Sequence, residues 1–212
     1  MDAIRKQAAR GGIAVALLLL AGCTQLTKTT AVDETATTKP VGPPQLVTAK
    51  TAFAAMYPAA RDWSPDVVML KLVAKEVPGF QNHAGKAAMW EATFASPSRR
   101  QYRVDTYAIT TILPDIHKGA AAGLPRPWGG ATRDTMPIDP SLFNIDSDTA
   151  YTSASTDAAA WLKKNPDKKL SDPVLGNVFK YHALVWYIMW GDQKSFYNAF
   201  VDADTGKVLK LK

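Results

Sequence analysis

The sequence predicts an α+β fold in which a helix packs on an antiparallel β-meander, with two such αβββ halves in tandem. Two observations predict this fold. A segment with helical spacing precedes alternating, strand-like segments within 51–110, and the same order of elements returns within 145–212. The stretch between them, 111–144, is rich in Pro and Gly, which is typical of a connection. The chain is therefore predicted to consist of two related halves joined by a crossover.

The first half contains one predicted helix and three predicted strands. Alanines and aromatics recur at helical spacing over 51–62, despite an internal proline. Alternating valines and leucines favour a strand over 67–77, although the Ser-Pro-Asp sequence at 64–66 could also begin a helix. Two further alternating segments, 86–96 and 101–109, flank a short polar turn and predict a β-hairpin.

The second half repeats this order. Asp146 or Ser147 is the predicted cap of a helix whose apolar side chains form one stripe, and an Asn-Pro-Asp sequence ends it. Segment 181–190 is rich in β-branched and aromatic residues, and 195–202 follows as its hairpin partner. In the last hairpin, Gly206 provides the positive φ that a tight turn requires.

The two halves can be aligned through their aromatic strands. Trp90 and Phe94 are predicted to correspond to Trp186 and Trp190, and the following strand 102–105 to correspond to 199–202. This alignment predicts that the two meanders share one plan.

The ending AFVDADTGKVL, at 199–209, resembles the closing strand pair of PepSY domains. Those domains end in a VDA-x-TG-x-VL pattern, after a strand that contains a tryptophan, here Trp186, and a helix with an Asp/Ser start, here at 147–150. The resemblance covers about 145–211, and its turn residues are Asp202, Asp204, Thr205 and Gly206. The sequence departs from the pattern in the long, basic connection 163–177, and the first half lacks the TG turn.

The resemblance to PepSY domains implies a cystatin-like module in which a helix packs across a curved antiparallel sheet. Such modules occur in protease propeptides and in exported or membrane-anchored proteins, where they bind, inhibit or assist other proteins. The resemblance thus implies a non-catalytic protein-binding or regulatory role, including peptidase modulation, with a protein partner in the envelope.

The N-terminal segment 1–22 has the features of an export signal. Basic residues precede an apolar run over 13–21 that is too short to span a bilayer as a helix, which takes roughly 20 residues. The run ends in Leu20, Ala21 and Gly22 before Cys23, which is the single cysteine of the chain. This arrangement resembles the lipobox of bacterial lipoproteins, although an ordinary secretory signal with a coincidental cysteine would look similar.

The lipobox resemblance implies cleavage before Cys23, lipidation of its thiol, and stable attachment to a membrane by more than one acyl chain. Thr24, rather than Asp, follows the cysteine, which resembles an outer-membrane address in Gram-negative lipoproteins. The Thr- and Pro-rich segment 23–50 predicts a disordered tether. The expected location is the bacterial cell envelope, at the outer membrane and facing the periplasm.

Motifs for catalysis or metal binding are weak. The formal net charge of +6 is spread along the chain without a basic run, so no nucleic-acid partner is expected. The sequence contains no G-x-S-x-G nucleophile elbow. Asp105 could pair with Glu91 or Asp202 as acid and base, but such pairs arise by chance in any sheet. The chain is therefore expected not to be an enzyme.

Metal and cofactor sites are not expected either. The spacing of Asp202, Asp204 and Gly206 matches the start of a calcium loop, but Lys212 stands where the bidentate Glu belongs, so a hairpin turn is favoured. The histidines lack the spacing of a metal-binding pair, and His182 is expected to pack within a strand.

Exposed aromatic side chains are the candidate binding residues. Trp186, Tyr187 and Trp190 place rings on both faces of one predicted strand, so one face is exposed unless the first half covers it. Trp128 lies in a Pro/Gly-rich loop, where it could contact a partner or fix the crossover in place. The alternatives to a protein-binding module are an envelope structural or assembly factor and a small-ligand-binding lipoprotein.

Overall fold

The computed structural model of the protein describes residues 45–133 and 135–210. The predicted signal peptide, the lipobox with Cys23 and most of the predicted tether lie outside these residues. Among the described helices, none is both long and apolar enough to cross a membrane.

The described residues form two α-helices and nine β-strands, with short 3₁₀ turns at Pro140–Leu142 and Phe179–Tyr181. In chain order they are α1 (Ala49–Trp63), β1 (Val68–Lys75), β2 (Met89–Ser96), β3 (Gln101–Ala108), β4 (Gly119–Ala121), β5 (Arg126–Pro127), α2 (Ser147–Lys164), β6 (Val174–Val178), β7 (Ala183–Asp192), β8 (Ser195–Asp202) and β9 (Val208–Leu209).

All nine strands belong to one antiparallel sheet with the order β4-β3-β2-β1-β6-β7-β8-β9, and β5 pairs beside β4 on the outer edge of β3. The helix α1 packs mainly on β2 and β3, and α2 packs mainly on β7 and β8. The buried faces of both helices join one apolar core with the sheet. The predicted α+β fold, with helices on an open antiparallel sheet, is confirmed.

The two halves meet at the seam between β1 and β6. Val73 pairs with Val174 there, and Leu72 pairs with Leu175. At one end of the seam, β1 has a bulge, and the crossover takes the place of β6: Ile138 donates its backbone N–H to the carbonyl of Met69 at 2.7 Å. The sheet is thus continuous across the halves, but it opens beyond this short pairing.

Two tryptophans form the centre of the core. Trp90 on β2 and Trp186 on β7 are fully buried, and their rings meet edge to face at 6.2 Å. Each indole N–H donates to a carbonyl just ahead of a helix, Trp90 to Val47 at 3.0 Å and Trp186 to Ile145 at 2.9 Å. These bonds satisfy buried polar groups and fix where each helix begins.

The structure differs from the sequence-based boundaries in three places. The helix α1 begins at Ala49, and Val47 pairs with Ala87, so the last residues of the segment assigned to the tether belong to the folded unit. The strand β6 lies at the end of the segment interpreted as a connection. The strand β7 begins at Ala183, because a 3₁₀ turn precedes it and leaves His182 exposed with a φ of 51°.

The predicted alignment of the third strands is wrong by three residues. Ser96 pairs with Gln101 in the first half, whereas Asp192 pairs with Ser195 in the second. Because the β7–β8 turn is two residues shorter, the counterpart of 102–105 is 196–199. The predicted correspondence of the tryptophan strands is consistent with this register.

Candidate functional site

A cavity of about 420 Å³ opens on the sheet face opposite the helices, at the open end of the seam. Tyr187 and Val185 point into it because they alternate along β7 with Trp186, which faces the helices. The cavity is lined by residues of β1, the crossover, β6, the 3₁₀ turn and β7: Leu70, Lys71, Arg133, Val174, Gly176, Asn177, Val178, Phe179, Lys180, Val185 and Tyr187.

The floor of the cavity is apolar and has a depression at Gly176. A Cβ atom built on this glycine would have no neighbouring atom within 4 Å. Gly176 pairs with Val185, and next to them Val174 pairs with Tyr187. Because every side chain around it is larger, the glycine leaves room that a ligand atom can fill.

The rim of the cavity is basic. Lys71, Arg133 and Lys180 are exposed, and none of them forms an ion pair with another described residue. The Arg133 guanidinium lies 4.5 Å from the centroid of the Phe179 ring, in cation–π geometry. The described lining residues include no Asp or Glu. The site therefore combines an apolar floor with positive charge that no described acidic residue pairs with.

A second, larger cleft of about 820 Å³ lies on the helix side, near the C-terminal end of α2. Tyr151 and Trp190 pack beneath it with ring centroids 5.9 Å apart. Its lining includes His83, Glu76 and Asp167, and no hydrogen bond or ion pair joins these side chains within the described residues. Nowhere in 45–133 or 135–210 do three His, Cys, Asp or Glu side chains cluster as a metal site would require.

The predicted aromatic contacts divide between core and surface. Trp186 and Trp190 are 0% and 3% exposed and face the helices, and Trp190 belongs to the lining of the larger cleft. Tyr187 faces the other way and lines the 420 Å³ cavity. Trp128 is half-buried, and its backbone N–H donates to Arg100 at 2.8 Å, outside that cavity.

The residues of the PepSY-like turn bond to one another and to the crossover. The carboxylate of Asp202 accepts the backbone N–H groups of Asp204 and Thr205 at 3.0 and 2.8 Å. Gly206 has a φ of +75° and donates to the carbonyl of Asp202. Asp204 accepts a hydrogen bond from the Asn144 side chain. Both backbone bonds go to Oδ1 of Asp202, and together with the left-handed Gly206 they form a hairpin turn.

The carboxylates proposed as an acid–base pair lie on opposite faces of the sheet. Asp105 pairs in register with Ala92, so it faces the helices, whereas the adjacent Glu91 faces away and lies 3.7 Å from Lys75. Asp105 binds Arg103 at 2.8 Å and accepts the Gly123 N–H at 3.2 Å. Burial raises the pKa of Asp105, against the opposing effect of the Arg103 charge. This pair ties the segment before β5 to β3.

Sequence patterns do not identify the other residues of the cavity. Lys71, Arg133 and Lys180 come from a strand bulge, the crossover and a 3₁₀ turn, and only the folded sheet brings them together. The one local signal is a basic residue beside Phe179 at the end of a strand, which is too common to predict a site.

No protein-family model matches the sequence, and no curated protein matches it. Among solved structures, the chain is similar to a proposed lipoprotein from Clostridium difficile 630, with 14% identity, a TM-score of 0.44, and coverage of 74% of this chain and 88% of that one. At this identity and TM-score, the likeness says nothing of what the present chain binds or where it works.

Proposed function

We propose that the protein is a lipid-anchored, non-catalytic binding protein of the bacterial cell envelope. The observation that carries the binding role is the sheet face opposite the helices, which no described helix covers and which bears the cavity with its apolar floor and basic rim. The anchor rests on the lipobox-like sequence that ends in Cys23. A tether behind it would hold the folded unit near the outer membrane, on the periplasmic side.

A protein partner is supported by the same face and by its edge. The aromatic rings of Tyr181, Phe200 and Tyr187 follow one another at 5.0 and 5.1 Å across β7 and β8. The strand β9 pairs only with Phe200 and Val201, so 195–199 has no strand partner on its outer side among the described residues. An extended segment of a partner could add there by backbone hydrogen bonds.

Peptidase modulation is the finer form of this proposal. It is supported by the PepSY-like order of α2, the Trp186 strand and the hairpin turn at Asp202–Gly206, all of which occur in the second half. The role assigns no chemistry to the protein itself, because it acts through the partner it binds.

Lipidation is tested by replacing Cys23. The Cys23→Ala variant should incorporate no labelled palmitate in growing cells and should keep its signal segment, so it migrates as a larger protein. Thr24→Ala is the matched control and should label like the wild type. Palmitate incorporation into Cys23→Ala would refute the anchor.

Partner binding is tested by photocrosslinking in intact cells. A benzophenone side chain at Phe196, which is 51% exposed at the free part of β8, should give one discrete crosslinked protein. The same group at the exposed Lys164, at the end of α2, should not give that product. The crosslinked protein is then purified and titrated against wild type and Phe196→Ala, which should bind more weakly. Equal crosslinking from both positions would contradict the assigned face.

A further inference from the structure

We propose that the cavity at the end of the seam binds a small amphipathic anion, with an apolar body on the floor and a carboxylate or phosphate head at the rim. This inference rests on the proposed binding role and names the ligand class. It does not depend on the lipid anchor or on the protein partner.

The shape of the cavity fits the apolar body of such a ligand. Its volume of about 420 Å³ lies within the range of small-molecule sites, roughly 300–1,000 Å³. Leu70 and Val185 are nearly fully buried beneath it and give it an apolar floor. The space above Gly176 is open, and a flat ring or short alkyl chain can occupy it without displacing a side chain.

The charge of the cavity selects the head group. Lys71, Arg133 and Lys180 surround an apolar floor and have no described counter-ion, and charges at a cleft with low-dielectric walls concentrate a positive potential within it. The guanidinium of Arg133 is planar and can bind a carboxylate or phosphate through two parallel hydrogen bonds. A neutral or cationic ligand of the same shape would gain neither the electrostatic attraction nor the paired hydrogen bonds to Arg133.

The local backbone supports the rim. Phe179 and Lys180 belong to the 3₁₀ turn that ends at His182, a non-glycine residue in the left-handed region with a φ of 51° and a ψ of 36°. The rings of Phe179 and His182 lie 5.2 Å apart. His182 shares this left-handed φ with Ala84 and Arg100, and it ends the turn that carries Phe179 and Lys180.

The probe pair is 2-naphthoate and its neutral amide, 2-naphthamide. Both are titrated calorimetrically into the full chain in lipid nanodiscs, with empty discs as the blank. The naphthoate should bind at least about fivefold more tightly than the amide at low salt, and added salt should narrow the difference. Equal affinities would overturn the anionic class, and no detectable heat from either probe would overturn the site.

Two variants locate the binding. Gly176→Leu fills the depression in a strand whose backbone tolerates a side chain, and it should abolish binding of both probes. Gly129→Leu is its matched control, because that glycine also has free space and an ordinary φ but lies outside the cavity. Unchanged binding in Gly176→Leu would overturn the assignment to this cavity.

The charge test uses a double variant. Arg133→Gln with Lys180→Gln removes two of the three rim charges, so it should lower the naphthoate affinity towards that of the amide and leave the amide affinity unchanged. The control is Lys86→Gln with Lys207→Gln, which removes the same charge at exposed positions outside the cavity. An equal loss in both double variants would show that net charge alone acts, against the proposal.

A last arm identifies the source of the anion and separates this proposal from the preceding one. Short-chain phosphatidylglycerol, but not phosphatidylcholine, should displace naphthoate if the natural ligand is a lipid headgroup. A free ligand is indicated if neither displaces it, and both results retain the anionic class. If crosslinking from Phe196 stays specific while naphthoate fails to bind, only the ligand inference falls.

Discussion

The two halves of the molecule repeat the same scaffold around a pseudo-twofold axis. The axis passes between Val73 and Val174, because Leu72 pairs with Leu175 on one side and Ala74 bonds to Pro173 on the other. The buried residues recur at the same spacing in both helices: 49, 52, 56 and 60 in α1, and 147, 150, 154 and 158 in α2. The burial pattern of each helix is therefore a property of the repeated unit.

Chemistry differs at positions that the repeat makes equivalent. A tryptophan near the end of each helix packs on the third strand of its own half. In the first half, the Trp63 ring lies 4.9 Å from the Arg103 guanidinium. In the second half, Trp161 packs on Tyr197 with ring centroids 6.0 Å apart. The repeated scaffold thus fixes where the tryptophan makes its contact, while the residue on the third strand decides whether that contact is cation–π or aromatic.

The connections between strands differ most between the halves, and two of the segments that differ complete the rim of the cavity. Ahead of its tryptophan strand, the first half has a long loop over 76–88, whereas the second half has only the 3₁₀ turn and His182. The crossover has no counterpart, and it supplies Arg133. The comparison teaches that the repeated strands provide the floor of the candidate site, while the unrepeated crossover and 3₁₀ turn add Arg133, Phe179 and Lys180 to its rim.

The largest expected effect is on the tryptophan pair. Trp90→Ala and Trp186→Ala should each lower the free energy of unfolding by about 3–5 kcal/mol, because each removes a fully buried ring and leaves a cavity. If the halves are energetically equivalent, urea denaturation should give similar losses. The milder Trp→Phe variants keep a ring and allow the same comparison if the alanine variants fail to fold. A loss below about 1 kcal/mol at only one position would break the equivalence.

The next largest effect on stability is expected at the buried ion pair of the first half, between Arg103 and Asp105. Arg103→Met leaves the Asp105 carboxylate buried without its cation and should cost about 3 kcal/mol at neutral pH. Replacing both residues by their second-half counterparts, Arg103→Tyr with Asp105→Ala, should cost about 1 kcal/mol or less, because neither charge is then buried. Urea titrations of the two variants measure the difference.

The pH dependence of Arg103→Met gives a second readout. Burial already raises the pKa of Asp105, and removal of the Arg103 charge, which opposes that rise, should raise the pKa further. A group with a raised pKa favours folding below its unfolded pKa, and this contribution is lost as the pH rises through the folded value. The destabilisation of Arg103→Met should therefore shrink on acidification. A loss that is independent of pH would mean that the cost is one of packing.

Replacing Asp146 should have the third-largest effect on stability, because one oxygen of its carboxylate accepts a backbone N–H from the first turn of each helix. It accepts the N–H groups of Ser147 at 2.7 Å and Lys50 at 3.0 Å. Asp146→Ala should cost about 2 kcal/mol, since each cap contributes about 1. Thr48→Ala is the control: Thr48 is the N-cap of α1, but its side chain makes no capping bond, so the loss should stay below about 0.5 kcal/mol. Equal losses would refute the shared cap.

Sequence patterns predict those elements whose signals are local. The Asp146 cap, the Pro- and Asn-containing end of α2, and the alternating strands β2 and β3 all have a signal within a few residues of themselves. The strand β6 has none, because Gly176 and Asn177 interrupt its short apolar run and its stability comes from pairing with β7 and β1. The third-strand register depends on turn length, which composition does not specify.

The face of a residue also depends on tertiary structure. Alternation places Trp186 and Tyr187 on opposite faces of β7, but it does not determine which face the helices cover. The sequence therefore predicts aromatic contacts on this strand without separating core from surface. The rim of the cavity is one step further removed, since Lys71 and Arg133 meet only after the two halves share a sheet.

The smallest expected effect comes from replacing the carboxylate that stabilises the hairpin turn of each half. The two turns lie at equivalent ends of the sheet. Asp66 accepts the N–H of Ser98 at 2.7 Å and the hydroxyls of Ser64 and Ser96, so it reaches the β2–β3 turn from outside the hairpin. Asp192 lies within the β7–β8 turn, where it accepts the N–H groups of Lys194 and Ser195 and binds Lys168. Different segments of the two halves thus supply the carboxylate that accepts the backbone N–H groups of the hairpin turn.

Both carboxylates should make stability depend on acid pH in the same direction. Hydrogen bonds from Ser64 and the Ser98 N–H hold the pKa of Asp66 far below its usual range, and the bond from Lys168, with those of the turn, lowers the pKa of Asp192 to about 2. A lowered pKa gives stability that is complete above the unfolded pKa of 3.8 and is lost as the pH falls through the folded pKa.

Asp66→Asn and Asp192→Asn should each be less stable than the wild type at pH 7, and their stabilities should approach that of the wild type below pH about 3. Because Asp192 is exposed and Asp66 only half-buried, the changes in stability should be small, and thermal melts across this range should show the same pH dependence for both variants. A dependence in only one variant would mean that the two turns are not held alike, and that the equivalence of the halves ends at the core.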